Sequence, residues 1–90
     1  MRDDTVTALK NLLIDHLYVD IPEDQIGVDD GLRTIVGLDS VGFVELRLLC
    51  ERRFNVLISD EDYTPAHFGS LRPLAELIER LQSAPPKPAV

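Results

Sequence analysis

Apolar residues recur at steps of three and four in three separate segments of this chain, and that spacing is typical of helices with one buried face. The recurring positions are Val6, Leu9, Leu13 and Leu17 in the first segment, Val41, Val44 and Leu48 (widened by Phe43, Leu46, Leu49 and Cys50) in the second, and Leu71, Leu74, Ile78 and Leu81 in the last. A chain of 90 residues buries about 60–65% of its unfolded surface, so the three faces are expected to share one small core. The pattern predicts a single all-α domain.

The first helix is expected to run from Asp4 to about Tyr18. Asp4 or Thr5 is a suitable N-cap, because a short oxygen-bearing side chain accepts hydrogen bonds from the free amides of the first turn. Pro22 sets the limit of this helix, since proline disfavours helical backbone in the residue before it.

A long connection follows, spanning residues 20–38 and carrying five acidic residues. Connections of this length without secondary structure usually serve a function or contain a short helical turn. Four apolar side chains are expected to hold it against the core: Ile26, Val28, Leu32 and Ile35.

The second helix is expected to begin at Asp39 or Ser40 and to end near Phe54, with Asn55 as a left-handed C-terminal residue. The apolar run 56–58 then joins it to the next element. A single strand there would leave its backbone groups unpaired, so an extended connector is expected.

Residues 59–62 (Ser-Asp-Glu-Asp) have the serine cap and acidic first turn of a short third helix, which the segment 64–69 is expected to break. Ser70 is expected to cap the last helix. The proline-rich residues 83–90 cannot continue that helix, so a disordered tail is expected after a domain at residues 1–82. The expected fold is a small four-helix bundle, with three main helices, one short helix and a long loop between the first and second helices.

The net charge of −7, from 16 acidic against 9 basic residues, disfavours two classes of partner. Nucleic acid and anionic membrane surfaces bind clustered Lys and Arg, so neither is expected, whereas basic protein surfaces are attracted. No apolar run reaches the roughly 20 residues that span a bilayer, and the first four residues lack the pattern of a secretory signal. The lone Cys50 cannot form an internal disulfide, which favours a reduced setting. We expect a cytoplasmic monomer.

The segment Gly37-Leu38-Asp39-Ser40-Val41 places a serine hydroxyl where a glycine-bearing loop meets the second helix. Alone, an acid and a serine before an apolar run indicate a helix cap. Here the run continues as Gly42-Phe43-Val44-Glu45-Leu46, and the pattern Phe-x-Val-x-Ile-x-Asp-Glu-Asp begins at Phe54. Together with helix order, length and acidity, these motifs resemble those of acyl carrier proteins, over most of residues 4–82.

The resemblance implies that Ser40 bears a covalent 4′-phosphopantetheine arm, whose terminal thiol holds an acyl group as a thioester. It also implies a protein that catalyses nothing itself. A separate phosphopantetheinyl transferase supplies the arm from coenzyme A. Further expected partners are an acyltransferase or acyl-ligase loading enzyme and a ketosynthase or other pathway enzymes. We expect a free-standing carrier that works with separate enzymes.

The resemblance also assigns residues to partner recognition and to an acyl-chain pocket. The recognition set is Asp39, Val41 and Glu45 around the serine, Arg47 further along the helix, and Glu61 and Asp62 near the third helix. The pocket set is Val44, Leu48, Ile58 and Phe68. One departure concerns charge: residues 40–53 hold two acids (Glu45, Glu51) against three bases (Arg47, Arg52, Arg53), a local sum of +1 where many carriers are acidic. We therefore expect a dedicated partner.

Other polar residues that could carry chemistry have plain structural interpretations. Cys50 faces inward as a small apolar residue, and His16 lies near the end of the first helix. No spacing that includes His67 or the cysteine indicates a zinc site, and no acidic segment follows the EF-hand pattern. Gly42 is unusual in a helix, and we hypothesise that its missing side chain lets a partner or the arm approach the backbone.

Two alternatives remain open at this stage. A peptidyl or aminoacyl carrier belongs to the same superfamily, although its serine usually follows Gly-Gly-(His/Asp). A helical protein-interaction module would use Ser40 only as a cap. Residues 43–47 and 62–68 look more like carriers of specialised bacterial pathways than the housekeeping fatty-acid carrier. This favours polyketide, antibiotic or related natural-product biosynthesis, with the cargo unspecified.

Overall fold

The computed structural model describes residues 3–83, and over that range its regular secondary structure is all helical, without a strand. The four α-helices are α1 (Asp3–Asp15), α2 (Ser40–Phe54), α3 (Pro65–Phe68) and α4 (Leu71–Ser83). A short 3-10 helix, Glu23–Gln25, lies in the long connection between α1 and α2. The predicted all-α bundle of three main helices and one short helix is confirmed.

Helix α1 begins before both of the residues that were predicted to cap it. Asp4 and Thr5 lie inside α1 rather than before it, so the predicted N-cap at either residue is wrong. Ser83 is the last residue of α4, one residue beyond the end predicted for the domain. The predicted disordered tail otherwise falls on residues 84–90, which lie outside the described residues.

Helix α1 ends at Asp15, three residues earlier than predicted. Tyr18 adopts a left-handed conformation with φ of 56°, and the Val19 amide donates to the carbonyl of Leu13 at 3.0 Å. This arrangement satisfies a carbonyl of the last turn, as left-handed helix ends commonly do. Pro22 thus lies well beyond the true end of the helix, and the proline alone predicted the wrong boundary.

The long connection is held to the core by three of its four predicted contacts. Ile26 and Leu32 are buried, and Val28 is half-buried. Ile35 is 59% exposed, so its predicted inward position is wrong. A tight turn closes at this point, where the Ile35 amide donates to the Gly31 carbonyl at 2.9 Å, and Ile35 lies on the solvent side of the turn.

Hydrogen bonds also join this connection to the start of α4. The Leu32 amide donates to the Gly69 carbonyl at 2.9 Å, and the Arg72 amide donates to the Val28 carbonyl at 2.9 Å. The Arg72 guanidinium donates to both carboxylate oxygens of Asp29, at 2.7 and 3.0 Å. The connection is therefore an ordered layer over one end of the bundle.

Helix α2 buries a different face from the one predicted. Leu46 and Cys50 are fully buried, whereas Val41, Val44 and Leu48 are 69%, 50% and 48% exposed. The apolar arc of this helix is too broad for spacing alone to identify the buried side. Packing against the other helices selects Leu46 and Cys50, and it leaves an apolar stripe on the surface.

After α2, the predicted left-handed Asn55 is confirmed, with φ of 55°. The predicted third helix at residues 59–62 is wrong, because that segment makes one turn in which the Asp62 and Tyr63 amides both donate to the Ser59 carbonyl. The helix lies instead at Pro65–Phe68, inside the segment expected to break it. Proline is well suited to a first helical position, since its missing amide has no intrahelical partner there.

Helix α4 packs against the other three α-helices. Its buried residues are Leu71, Leu74, Ala75, Leu77 and Ile78. Three of the four predicted inward positions on α4 are buried, and the fourth, Leu81, is half-buried. The helix begins directly after Ser70.

Replacing a fully buried leucine of α4 should destabilise the whole bundle. Leu74 is 0% exposed, so Leu74→Ala is expected to lower the free energy of unfolding by about 2–5 kcal/mol through lost burial and a residual cavity. Leu57, which is 84% exposed, is the matched control, and Leu57→Ala should change stability by less than about 0.5 kcal/mol. Urea unfolding followed by circular dichroism measures both, and equal losses would contradict this description of the core.

Candidate functional site

Ser40 is the first residue of α2, and its side chain is exposed. Asp39 precedes it as the N-cap, in extended conformation, and its Oδ1 accepts a hydrogen bond from the Gly42 amide at 2.8 Å. The Asp39 carbonyl accepts from the Phe43 amide at 3.0 Å, which closes the first helical turn. The predicted start of the helix is confirmed, and the capping role belongs to Asp39.

The loop before Ser40 is fixed by one buried side chain and one glycine. Leu38 is 7% exposed, and its amide donates to the Leu32 carbonyl at 2.8 Å. Gly37 has φ of 90°, a conformation that L side chains rarely adopt, so glycine is required at this position. The chain is thus held on the core one residue before the cap, and the next exposed hydroxyl is that of Ser40.

The structure explains why a glycine occupies position 42 in the first turn of α2. A Cβ atom there would lie 3.2 Å from Leu38 Cδ2 and 3.3 Å from Asp39 Oδ1, closer than ordinary van der Waals contact. The missing side chain therefore leaves room for the cap and for Leu38. The hypothesis that a partner or the arm approaches the backbone at this residue stays a prediction.

An open cleft of about 480 Å³ lies beside Ser40. Its lining is Gly31, Arg33 and Thr34 from the long connection, Ser40, Phe43 and Val44 from α2, and Tyr63, Thr64, Pro65, Phe68 and Gly69 from the region of α3. The surface of the cleft is mostly apolar. The Arg33 guanidinium lies over the Phe43 ring, 5.3 Å from its centroid, and the Tyr63 and Phe68 rings meet edge to face at 5.0 Å.

The structure brings together only part of the predicted pocket set. Val44 and Phe68 line the cleft. Leu48 is half-exposed and Ile58 is buried, and neither belongs to the lining. Sequence reasoning missed Arg33 in particular. No local sequence pattern predicts that Arg33 lines the cleft. Its position depends on the hydrogen bonds that join the long connection to residues at the start of α4.

Of the predicted recognition residues, four are exposed: Asp39, Val41, Glu45 and Glu61. The first three lie at the start of α2 around Ser40, and Glu61 lies in the turn that follows Ser59. Exposure makes all four available to a protein partner.

The other two predicted recognition residues, Arg47 and Asp62, form contacts within the protein. The Arg47 guanidinium donates to the Ile58 carbonyl, forms an ion pair with Asp60 at 3.0 Å, and lies over the Tyr63 ring at 4.9 Å from its centroid. Asp62 forms an ion pair with Arg80 at 3.2 Å. Each side chain therefore has internal partners.

Two further contacts complete this network. The Glu51 carboxylate accepts a hydrogen bond from the Ile58 amide at 2.8 Å and so has a structural role. His67 Nδ1 lies 2.9 Å from the Asp62 carbonyl oxygen and 3.3 Å from Thr64 Oγ1. The connector after α2 is thus joined to α2 on one side and to α3 on the other.

Two acidic groups among the described residues, the Cys50 thiol and the Asp29 carboxyl, have shifted pKa values. Burial, and secondarily the neighbouring Glu51 charge, raises the pKa of the Cys50 thiol from 9.0 to about 12, which agrees with the predicted inert, inward-facing role. The hydrogen bond from Arg72 lowers the pKa of the exposed Asp29 carboxyl. Neither group lies in the cleft.

The described residues contain neither a metal-binding cluster nor a helix that could span a membrane. Over residues 3–83, no group of three or more His, Cys, Asp or Glu side chains is arranged to hold a metal ion. Within the same range, no helix has both the length and the apolar character needed to cross a membrane.

These features define a small helical domain with one serine presented at a helix start beside a cleft, which is the architecture of a carrier domain. The family model described as "Phosphopantetheine attachment site" matches residues 7–82, and the chain belongs to that family. The family carries covalently attached 4′-phosphopantetheine, so the protein is a carrier rather than a catalyst. A comparison with curated proteins gave no match.

Removing the cap of α2 should loosen the segment that presents Ser40. Asp39→Ala is expected to destabilise the protein by about 1 kcal/mol, because the Gly42 amide loses its acceptor. Asp39→Asn keeps an acceptor oxygen and should retain most of that stability. Urea unfolding compares the variants with the wild type, and an equal loss for both would argue against capping as the main role.

The buried thiol should be protected and should make stability depend on pH. Because the folded pKa of Cys50 is about 12 against 9.0 for an ordinary thiol, the folded state keeps the proton longer, and stability from this group is lost as pH rises above about 9. The wild type should therefore lose stability between pH 9 and 11 more steeply than Cys50→Ala. A thiol-reactive dye at pH 8 should label the native protein far more slowly than the urea-unfolded protein. Equal labelling rates would contradict the burial.

Proposed function

We propose that this protein holds acyl intermediates as thioesters on a 4′-phosphopantetheine arm attached to Ser40 and delivers them to separate enzymes. The observation that supports this most is the position of Ser40, exposed at the first residue of α2 and on the lining of the cleft. The residues fit the arm: the hydroxyl is open to solvent, and an apolar groove begins beside it.

Ser40 contributes its oxygen to the phosphoester bond and loses a proton when that bond forms. The neighbouring carboxylate, Asp39, already accepts a hydrogen bond from the Gly42 amide. We therefore assign removal of the proton to the phosphopantetheinyl transferase. An anion on Ser40 lies at the positive end of α2, where charge–dipole interaction contributes about 0.3–1 kcal/mol. Once attached, the arm supplies a thiol that forms the thioester.

Partner enzymes are proposed to contact the exposed residues around Ser40. Asp39 and Glu45 present carboxylates to basic side chains, and Val41 adds an apolar contact between them. Contacts of this kind favour rapid encounter and correct orientation more than lasting affinity, which suits a carrier that must leave after delivery.

A second part of this surface is the turn at Asp60–Asp62. Glu61 is free to contact a partner, whereas Arg47 and Asp62 are proposed to act by fixing the turn through Asp60 and Arg80. The two residues thereby influence recognition without leaving their internal partners.

An apolar cargo is proposed to enter the cleft and contact Val44 and Phe68. Contact with the buried Ile58 requires α2 and α3 to separate, whereas Leu48 is half-exposed on the surface of α2 outside the cleft lining. A short or polar cargo stays outside.

The pathway we propose is polyketide or related natural-product biosynthesis in the cytoplasm. The carrier acts as a monomer and meets a phosphopantetheinyl transferase, a loading acyltransferase or acyl ligase, and a ketosynthase. The proposal rests on residues 43–47 and 62–68, which differ from the housekeeping fatty-acid carrier pattern.

Loading with coenzyme A tests the attachment site. After incubation with coenzyme A, Mg²⁺ and a broad-specificity phosphopantetheinyl transferase, the wild type should gain the mass of one phosphopantetheinyl group, and Ser40→Ala should gain none. Ser59→Ala, which removes another exposed serine, is the control and should be loaded like the wild type. Intact-mass spectrometry gives the result. Loading of Ser40→Ala, or failure of all three proteins, would overturn the assignment.

A further inference from the structure

Arg33 is the only charged side chain among the described residues that line the cleft. It is exposed, and it lies against the Phe43 ring at 5.3 Å from the centroid. Stacking of this kind restrains a guanidinium without neutralising it. The cleft that contains Ser40 therefore also contains a fixed positive charge.

The other arginines near the cleft and the end of the bundle have acidic partners. Arg47 pairs with Asp60, and Arg72 pairs with Asp29. Over residues 3–83, no carboxylate pairs with Arg33. In a chain with a net charge of −7, this exposed cation on the lining that also includes Ser40 is available to an anion from outside the polypeptide.

We infer that Arg33 pairs with the phosphodiester of the arm on Ser40 and directs the arm along the cleft. The inference rests on the proposed function. The phosphodiester is anionic in every loaded state, and its bond to Ser40 fixes it at this cleft whatever the cargo. The planar guanidinium suits phosphate oxygens. Asp39, which precedes Ser40 and does not line the cleft, has the same charge as the phosphodiester and repels it, which favours the cleft that contains Arg33.

A carboxylate at the end of a cargo offers similar chemistry to a guanidinium. The phosphodiester is favoured because it is present before any cargo is loaded. The two sources differ in when they appear, and the experiment uses this difference.

The test compares wild type, Arg33→Gln, Arg33→Lys and Arg52→Gln, each loaded with the arm from coenzyme A. Arg52 is the matched control, because it is an exposed arginine of α2 that does not line the cleft. Phosphorus NMR reports the phosphodiester, and nuclear Overhauser effects between the methyl groups of the arm and the Phe43 ring report its residence in the cleft. Circular dichroism of the unloaded variants checks that each one folds.

In the wild type, loading should shift the Arg33 side-chain NMR signals and give Overhauser effects to Phe43. Arg33→Gln should lower the ratio of cleft-bound to free arm about two- to fivefold, the effect expected for an exposed ion pair. Arg33→Lys should retain part of this ratio, and Arg52→Gln should match the wild type. Added salt should lower the wild-type ratio towards that of Arg33→Gln, because exposed pairs are screened.

Equal ratios and phosphorus shifts in wild type and Arg33→Gln would overturn the inference. Loading from acetyl- and malonyl-coenzyme A separates the two anions: an Arg33 response seen only with malonyl cargo would assign the charge to the cargo carboxylate and likewise overturn it. Failure of the proposed function is distinct, because no variant would then gain the mass of the arm.

Discussion

The hydrogen bonds between the long connection and the start of α4 determine where the candidate site can form. The Leu32 amide donates to the Gly69 carbonyl, and the Arg72 amide donates to the Val28 carbonyl. With these bonds in place, Arg33 of the connection reaches Phe43 in the first turn of α2, and the connection, α2 and the region of α3 together line the open cleft. The ion pair of Arg72 with Asp29 is exposed and worth little by itself, so the backbone bonds and the burial of Leu32 provide most of the attachment.

The apolar residues of α2 form a buried group and an exposed group. Leu46 and Cys50 are buried and hold the helix in the bundle, while Val41, Val44 and Leu48 remain on the surface. Apolar side chains left exposed in a stripe beside an exposed serine are suited to brief contact with other proteins. The same helix therefore gives the domain its stability with one face and presents the proposed attachment point and its surroundings with the other.

The charged residues of α2 and its cap likewise differ in whether they contact other parts of the protein or remain exposed. Arg47 joins α2 to the connector that follows it, through the Ile58 carbonyl and Asp60, and is only 23% exposed. Asp39 and Glu45 remain exposed near Ser40. The local positive sum counted from the sequence of α2 thus overstates the positive charge that a partner meets, because one of the three arginines has internal partners. Arg33, contributed by the connection, restores a positive charge close to the serine.

The sequence by itself determined the helical class, the start of α2 at Asp39 or Ser40, the left-handed Asn55 and the inward stripe of α4. Each follows from local spacing or from the conformational preference of one residue type. It also indicated the carrier family through the motif around Ser40. Only the tertiary structure decided which face of α2 is buried, that the short third helix begins at Pro65 rather than at Ser59, and that Arg33 reaches the cleft. These features depend on contacts between segments far apart in the chain, and neither periodicity nor capping preference specifies such contacts.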